Sequence, residues 1–237
     1  QHIPTAKIFL LDLPGAGKHV HEKASFSIKR MVDFMRKEIL HGLQNNPGRN
    51  IICATSLGGM LASEWVIRYK KDFQGLVIIN ASFKTICKSS ERVQPSVRWD
   101  MLKILLTNNV EKREALIIKV NSNKPSQYKS LTQEWVDIQN KRRMSRINIL
   151  KQSFAGVLYG VKGKKPEVPL LIIGSKGDRM VCPECISKIH RAFGGTLVWH
   201  PDAGHGLPID DPLWLSQNIA NWYHYKFMKE IDDLPKI

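Results

Sequence analysis

The chain has 237 residues and a formal net charge of +15. This length suits one α/β domain that carries an insertion, and the apolar content is ordinary for a globular protein. No uninterrupted run of about 18 apolar residues is present, so a membrane span is not expected. The sequence also shows no signal-peptide pattern of a basic start, an apolar stretch and a small-residue cleavage site.

Short apolar runs alternate with amphipathic segments along the first part of the chain. The runs 7–12, 51–54 and 76–79 predict strands, and the segments 27–44 and 60–70 predict helices because their apolar residues recur at helical spacing. Continuous apolar strands between such helices indicate a parallel sheet covered on both faces. The predicted fold class is therefore α/β, with a mostly parallel sheet flanked by helices.

The pattern changes between residues 84 and 165, where no convincing strand is found. Four segments there predict helices: 99–106, 110–120, 131–139 and 147–158. The same stretch carries 18 Lys and Arg residues against 6 Asp and Glu residues, which is most of the charge excess of the chain. Such a basic surface attracts nucleic acid, anionic membrane or acidic partners, or it is simply a solvated surface.

The sheet pattern then resumes to the end of the chain. The runs 169–173 and 196–199 predict strands, and the segments 182–193 and 211–228 predict helices. The expected buried side of the last helix consists of Leu213, Leu215, Ile219, Trp222 and Tyr223. The predicted domains are a core made of residues 1–83 and 166–237 and a helical basic cap made of residues 84–165.

The four cysteines are open to several interpretations. Cys182 and Cys185 form a C-x-x-C pair, which is typical of a redox pair, of half a zinc site, or of a helix start with Pro183 in the first turn. No second C-x-x-C is present to complete a zinc site, so the helix start is favoured, in a reduced and cytoplasmic compartment. Cys53 is expected to be a small buried hydrophobe in its strand.

Ser56 lies between a predicted strand and a predicted helix, with Ala54 and Gly58 beside it. This small-x-Ser-x-Gly string is close to the G-x-S-x-G nucleophile elbow, in which a strained turn exposes the serine hydroxyl. Ala54 replaces the first glycine and adds only a methyl group. The Leu57 N–H, at the start of the following helix, is the expected oxyanion donor.

A nucleophilic serine needs a general base and an acid that orients the base. Such partners must lie at the carboxyl ends of the parallel strands, on the same edge of the sheet as Ser56. Asp178 follows the strand 169–173, and His205 follows the strand 196–199. The chain order Ser, Asp, His is the order found in α/β-hydrolases.

Other residues compete for these roles. Asp202, Asp210 and Asp211 are rival acids, although Asp210 and Asp211 fit better at the N-terminus of the last helix. His19 and His21 form an H-x-H pair that suits a metal, but the pair alone is a weak signal. No cofactor and no metal are expected.

The chain resembles the α/β-hydrolase superfamily, in the branch that has a serine nucleophile and a helical cap after the sixth strand. Five segments carry the resemblance in the correct order: Leu11–Gly17, Ala54–Met60, Leu76–Ser82, Pro169–Val181 and Asp202–Pro212. The resemblance implies a catalytic set of Ser56, Asp178 and His205.

One departure from the family concerns the start of the sequence. Members normally have two or three strands before the D-x-P-G-x-G turn that Asp12–Gly17 resembles, and the loop after the third strand supplies the second oxyanion donor. Only about six residues precede the strand 7–12. We therefore expect that donor to be missing, at a cost of about 10²–10³ in turnover.

The leading hypothesis is a serine hydrolase of carboxylic esters or thioesters, a carboxylesterase or thioesterase that forms an acyl-enzyme. The alternative is a hydrolase-like binding protein whose catalysis is impaired. The expected acyl pocket is lined by Trp99, Leu102, Leu105, Trp135 and Phe154.

The basic cap suggests a further partner, an acidic acyl carrier or a CoA thioester. The candidate contacts are Arg98, Lys141, Arg142, Arg143 and Arg146. Nucleic-acid binding is the weaker interpretation, because the basic residues are scattered and no recognised motif accompanies them.

Overall fold

A computed structural model describes residues 6–124 and 128–228 of the chain. Its sheet contains four strands in the order β1-β2-β3-β4, and all neighbouring pairs are parallel. The strands are β1 (Ile51–Thr55), β2 (Gly75–Ile79), β3 (Leu170–Ser175) and β4 (Thr196–His200). The predicted α/β class is confirmed.

Helices cover both faces of this sheet, which is why β2 and β3 are buried along their whole length. The core helices are α1 (Ile28–Gln44), α2 (Leu57–Arg68), α8 (Pro183–Phe193), α9 (Leu207–Asp210) and α10 (Pro212–Phe227). A short 3₁₀ helix, Gly17–His19, follows the first turn. Among the described residues, no helix is long and apolar enough to cross a membrane.

Two apolar clusters lie on opposite faces of the sheet. Ile78 and Ile172 point toward the cluster that contains side chains of α1, α2 and α8. Ile79 and Ile173 point toward the smaller cluster that contains side chains of α9 and α10. Successive residues of a strand face opposite sides, so each central strand supplies both clusters at once.

Five helices and no strand occupy the described residues between 84 and 165. They are α3 (Ser89–Arg92), α4 (Pro95–Leu106), α5 (Val110–Asn121), α6 (Lys129–Lys141) and α7 (Arg146–Leu158). Polar caps begin two of them, since the Asn109 side chain accepts from the Lys112 N–H and the Ser145 side chain from the Asn148 N–H. The sequence did not predict the short α3.

The predicted strand 7–12 is wrong. The segment has no strand hydrogen bonds, and Ile8 and Leu10 are 78% and 86% exposed. A strand needs a hydrogen-bonded neighbour, and within the described residues β1 is an edge of the sheet that pairs only with β2. Leu11 and Leu13 nevertheless pack against the core, so the following turn is still anchored.

The last helix corrects one detail of the expected core. Leu213 is 59% exposed, whereas Leu215 and Trp222 are buried. Ile219 and Tyr223 are partly buried against the same cluster. Leu213 lies two residues before Leu215, which places it on a different side of a helix with 3.6 residues per turn.

The cysteines differ from expectation in two respects. Cys87 and Cys185 form a disulfide across 98 residues of sequence, which joins the helical insertion to α8. Disulfides persist mainly in oxidising compartments, so this pairing weighs against the expected reduced environment. Cys182 occupies the N-cap position of α8 directly before Pro183, which agrees with the predicted helix start. Cys53 was expected to be buried but is exposed, because β1 is an edge strand.

A buried carboxylate ties α1 to the end of α2. The Asp72 side chain accepts hydrogen bonds from Arg36 Nε at 2.6 Å and from Trp65 Nε1 at 2.8 Å.

Asp72→Ala would leave both donors unpaired, so we predict a loss of about 3 kcal/mol in the free energy of unfolding. Urea unfolding followed by circular dichroism measures it. The matched control is Glu167→Ala, which breaks the exposed Lys70–Glu167 pair and should change stability little. Equal effects in the two variants would contradict the prediction.

Candidate active site

Ser56 occupies a strained turn between β1 and α2. Its backbone has φ 54° and ψ −118°, in a region that residues with a side chain rarely adopt. The Ser56 N–H donates to the Ile79 carbonyl at 2.9 Å, which fixes the turn to the neighbouring strand. A Cβ at Gly59 would lie 2.8 Å from Ala81 Cβ, so the helix can start this close to the sheet only with glycine there.

The alanine that replaces the first glycine of the elbow fits without strain. A Cβ added at Gly58 would lie 3.4 Å from the Ala54 Cβ, which is the nearest atom to it. Gly58 leaves that space open, so the methyl group of Ala54 meets no side chain there. The elbow geometry is therefore compatible with alanine at this position.

Three side chains form a continuous hydrogen-bonded chain at the carboxyl edge of the sheet. His205 Nε2 lies 2.8 Å from Ser56 Oγ, and His205 Nδ1 lies 2.8 Å from Asp178 Oδ2. His205 and Asp178 are 2% and 5% exposed, so water competes little for these bonds. A carboxylate can only accept, which assigns the proton of the neutral imidazole to Nδ1 and leaves Nε2 to accept from the serine hydroxyl.

The Asp178 carboxylate is held on both of its oxygens. While Oδ2 faces His205, Oδ1 accepts from the Met180 N–H at 2.7 Å and from the Val181 N–H at 2.9 Å. We call the segment between β3 and α8, which carries Asp178, the acid loop. Gln94 Nε2 donates to the Asp178 carbonyl at 2.9 Å, which ties this loop to the helical insertion. The carboxylate is therefore fixed in place before any ligand binds.

Asn80 was not among the predicted site residues, yet it supports the segment between β4 and α9 that carries His205, which we call the histidine loop. It is fully buried at the end of β2, with φ 46°. Its Nδ2 donates to the His205 carbonyl at 2.9 Å and to Ser175 Oγ at 3.0 Å, while its Oδ1 accepts from the Ser175 N–H. A polar residue that ends a continuous apolar strand was the sequence signal for this position.

A segment from the end of α5 holds the acid loop and the histidine loop together. Asn123 Nδ2 donates to the Gly177 carbonyl at 2.9 Å and to the Asp202 carbonyl at 2.8 Å. The Asn121 carbonyl accepts from the Gly206 N–H at 2.6 Å. We call residues 121–123 the loop clip. Because it comes from the helical insertion, that insertion helps to position the hydrogen-bonded chain.

The rival acids have other partners. Asp210 accepts from the Gly204 N–H at 2.6 Å and from Ser122 Oγ at 2.5 Å, so it joins the loop clip to the histidine loop. Asp211 caps α10 through the Trp214 N–H, and this hydrogen bond lowers the pKa of its carboxyl group. The side chain of Asp202 is 71% exposed and lies near His200.

The first turn of α2 faces a helix of the insertion. The Leu57 N–H belongs to the first residue of α2, where backbone donors have no partner within the helix. A Cβ at Gly156 of α7 would lie 3.0 Å from Leu57 Cδ1. Buried Arg92 donates to the carbonyls of Gly156 and Val157 at 2.6 and 2.7 Å, and burial lowers the pKa of its guanidinium. Arg92 thus fixes α7 beside the elbow.

The five residues expected to line an acyl pocket lie on the insertion. Trp99, Leu102 and Phe154 are 65%, 41% and 52% exposed, and Leu105 and Trp135 are partly buried. Phe154 makes an edge contact with Phe26. Their role in binding an acyl group stays a prediction.

The histidine pair does not build a metal site in the described part of the chain, where no group of three or more candidate ligands occurs. His19 Nε2 instead lies 2.8 Å from a carboxylate oxygen of Glu38. This pairing anchors the 3₁₀ helix to α1.

Solved structures share the fold of this chain. An enol-lactonase from Burkholderia xenovorans LB400 superposes with a TM-score of 0.69 at 15% identity, over 89% of this chain and 78% of that chain. A thermophilic esterase from Thermogutta terrifontis gives a TM-score of 0.67 at 16% identity, over 90% of this chain and 78% of that chain. At such identities these similarities establish the α/β-hydrolase fold alone.

A sequence-family profile matches residues 5–212, which is most of the chain. The chain belongs to this family of hydrolases, whose description is "Serine aminopeptidase, S33". A curated relative, the pimeloyl-[acyl-carrier protein] methyl ester esterase of Wigglesworthia glossinidia brevipalpis, is 28% identical over 96 residues. That match covers 40% of this chain and spans about a third, 33%, of the relative.

The loop clip generates a prediction about the reactivity of Ser56. Asn123→Ala removes one hydrogen bond to each of the acid and histidine loops, so the two loops are held together less firmly. We predict that the rate of Ser56 phosphonylation by a fluorophosphonate falls about tenfold, the equivalent of about 1.4 kcal/mol.

The matched control is Asn218→Ala, which removes one side-chain bond to the Trp214 carbonyl in α10, away from the site. Rates are compared at a temperature where both variants are folded by circular dichroism. An Asn123→Ala rate equal to that of the unaltered chain would show that the loop clip does not position the site.

Proposed function

We propose that the chain is a serine hydrolase of carboxylic esters or thioesters and that it works through an acyl-enzyme. The single observation that carries the proposal is the hydrogen-bonded chain from Ser56 Oγ through both ring nitrogens of His205 to Asp178. A buried acid, a base and a hydroxyl in this order are the arrangement that activates a serine.

In the first half of the reaction, Ser56 Oγ attacks the carbonyl carbon while His205 Nε2 takes the hydroxyl proton. The tetrahedral intermediate collapses, the bond to the alcohol or thiol breaks, and His205 gives its proton to the leaving group. In the second half, His205 removes a proton from water, which attacks the acyl-enzyme. The carboxylic acid leaves and the proton returns to Ser56.

The negative oxygen of each tetrahedral intermediate needs a hydrogen-bond donor that is already in place. The Leu57 N–H serves as that donor, at the positive end of the α2 dipole. The hydroxyl of Ser56 and the N–H of Leu57 belong to adjacent residues, and the strained Ser56 backbone exposes them together. The attack and the stabilisation of the negative charge therefore occur at the same place.

Residues 84–165 act as a cap over the core made of residues 1–83 and 166–237. Two contacts between the insertion and the core support this role: α7 packs on Leu57, and the loop clip reaches both site loops. The esterase relative and the thermophilic esterase of similar fold agree with an ester substrate. Trp99, Leu102, Leu105, Trp135 and Phe154 are the candidates for contact with the acyl chain.

Fluorophosphonate labelling tests this proposal without knowledge of the substrate. We predict that the unaltered chain is labelled, that Ser56→Ala abolishes labelling, and that turnover of p-nitrophenyl butyrate falls at least about 10⁴-fold in this variant. The matched control is Ser216→Ala on the exposed side of α10, which should be labelled normally.

Absence of labelling in a well-folded chain would contradict the proposal and favour the alternative, a hydrolase-like binding protein. Labelling accompanied by hydrolysis of an aminoacyl p-nitroanilide but of no ester would retain the activated serine and replace the substrate class by peptides.

A second part of the proposal concerns an acidic acyl carrier as substrate. Arg98, Lys141, Arg142, Arg143 and Arg146 are all exposed on the insertion. Arg143 and Arg146 donate to the carbonyls of Asn108 and Leu106. Lys141 and Arg142, in contrast, make no side-chain hydrogen bond or ion pair with other described residues. These two cations are therefore available to a negatively charged partner.

We predict that turnover of an acyl-carrier thioester falls as salt is raised from low to physiological ionic strength, whereas p-nitrophenyl butyrate turnover does not. Reversal of both charges, Lys141→Glu with Arg142→Glu, should raise KM for the carrier substrate alone. The control pair is Lys29→Glu with Lys71→Glu, which changes net charge equally outside the insertion. Salt-independent carrier turnover would remove the docking role.

A further inference from the structure

A cavity of about 490 Å³ lies between the segment before α1 and the insertion helix α7. Its volume is within the range of small-molecule sites. The core contributes Pro14 and residues 23–27, and α7 contributes Lys151. None of the three residues of the hydrogen-bonded chain at Ser56 lines it.

The walls of the cavity are strongly basic. Lys23, Arg30 and Lys151 line it, and no acidic residue does. None of the three makes an ion pair within residues 6–124 and 128–228. Asp33, one turn after Arg30, is already engaged by Arg68 and by the hydroxyl of Tyr69. The positive charge of the cavity is therefore not neutralised by the protein.

Two serine hydroxyls at the start of α1 add uncharged donors. Ser25 Oγ accepts from the Ser27 N–H at 3.1 Å, and Ser27 Oγ accepts from the Arg30 N–H at 3.5 Å. Both oxygens are used as acceptors, so the hydroxyl hydrogens remain to be donated to a ligand. The first turn of α1, a helix of 17 residues, contributes a partial positive charge at the same place.

Buried amides hold the two walls together. Asn148 Oδ1 accepts from the Ala24 N–H at 3.0 Å, and Asn148 Nδ2 donates to the Glu22 carbonyl at 3.1 Å. Gln152 Nε2 donates to the Pro14 carbonyl at 3.1 Å. Asn148 and Gln152 are 5% and 8% exposed, so the spacing of the cavity is set before any ligand arrives.

We propose that this cavity binds a phosphate monoester, with the phosphate between Lys23, Arg30 and Lys151 and the organic group against Phe26. A phosphate carries about −1.5 to −2 charges and three acceptor oxygens, which match three cations and two hydroxyls better than one carboxylate does. The ring of Phe26 lies 5.8 Å from Lys151 Nζ and is 55% exposed, so an apolar group can cover it. The proposal goes beyond the proposed function and does not depend on an active Ser56.

Calorimetric titration at low ionic strength, with inorganic phosphate, phenyl phosphate and benzoate as probes, tests the site. Phenyl phosphate should bind more tightly than inorganic phosphate if the site takes an organic ester, and equal affinities would identify free phosphate as the ligand. Equal affinities would therefore overturn the assignment of an organic monoester. Benzoate has the same ring with a single carboxylate and should bind at least about tenfold more weakly than phenyl phosphate.

Lys151→Met and Arg30→Met should each weaken phenyl phosphate binding about tenfold. Lys29→Met is the matched control, because it removes the same charge from the neighbouring position of α1 without altering a residue that lines the cavity. Repetition in Ser56→Ala should give unchanged affinities, so failure of the hydrolase proposal and failure of this site are separate results. No binding of either phosphate, equal binding of benzoate, or equal losses in all three Met variants would overturn the proposal.

Discussion

The backbone of Ser56 is the constraint on which the rest of the site depends. A residue at φ 54° persists only where its surroundings force it, and here they do so from two sides. The Ser56 N–H is bonded to the neighbouring strand β2, and Gly59 allows α2 to start almost in contact with Ala81. The parallel register of β1 and β2, with Thr55 opposite Ile79, puts both supports in place. The buried sheet therefore keeps the Ser56 backbone in its strained conformation.

The other two members of the hydrogen-bonded chain have no such strand beneath them. Asp178 and His205 lie in loops, and loops are fixed by hydrogen bonds to their backbone. Asn80 supplies these from the core, and Asn123 supplies them from the insertion. The histidine loop is thus held from below by a residue at the end of β2 and from above by the loop clip. The insertion is in this sense a structural part of the site as well as a neighbour of it.

The sequence was sufficient for the sheet, for most of the helices and for the three residues that meet at its edge. Ser56, Asp178 and His205 could be selected because parallel strands bring their carboxyl ends to one edge, which is a rule of topology. Their chemical roles stay predictions. The loop clip could not be foreseen, because Asn123 follows a helix whose direction depends on tertiary packing. The prediction of a strand at 7–12 was wrong because apolar composition favours a strand but does not supply the neighbouring strand to which it must hydrogen-bond.

The Lys and Arg side chains of the insertion fall into three groups, according to the residues or solvent that each one contacts. Buried Arg92 donates to two backbone carbonyls and to the Ser82 hydroxyl. Buried Arg113 pairs with Glu114, whose pKa is raised by burial. Such cations maintain the packing of helices and are not available to a ligand, because their donors are already used.

Lys141 and Arg142 differ because they project into solvent, where salt screens them. Lys151 is only partly exposed and lines a cavity together with Lys23 and Arg30, which are exposed. An anion placed there meets three cations without ion-pair partners at once, so of the three environments the cavity is the one that favours a small and highly charged ligand.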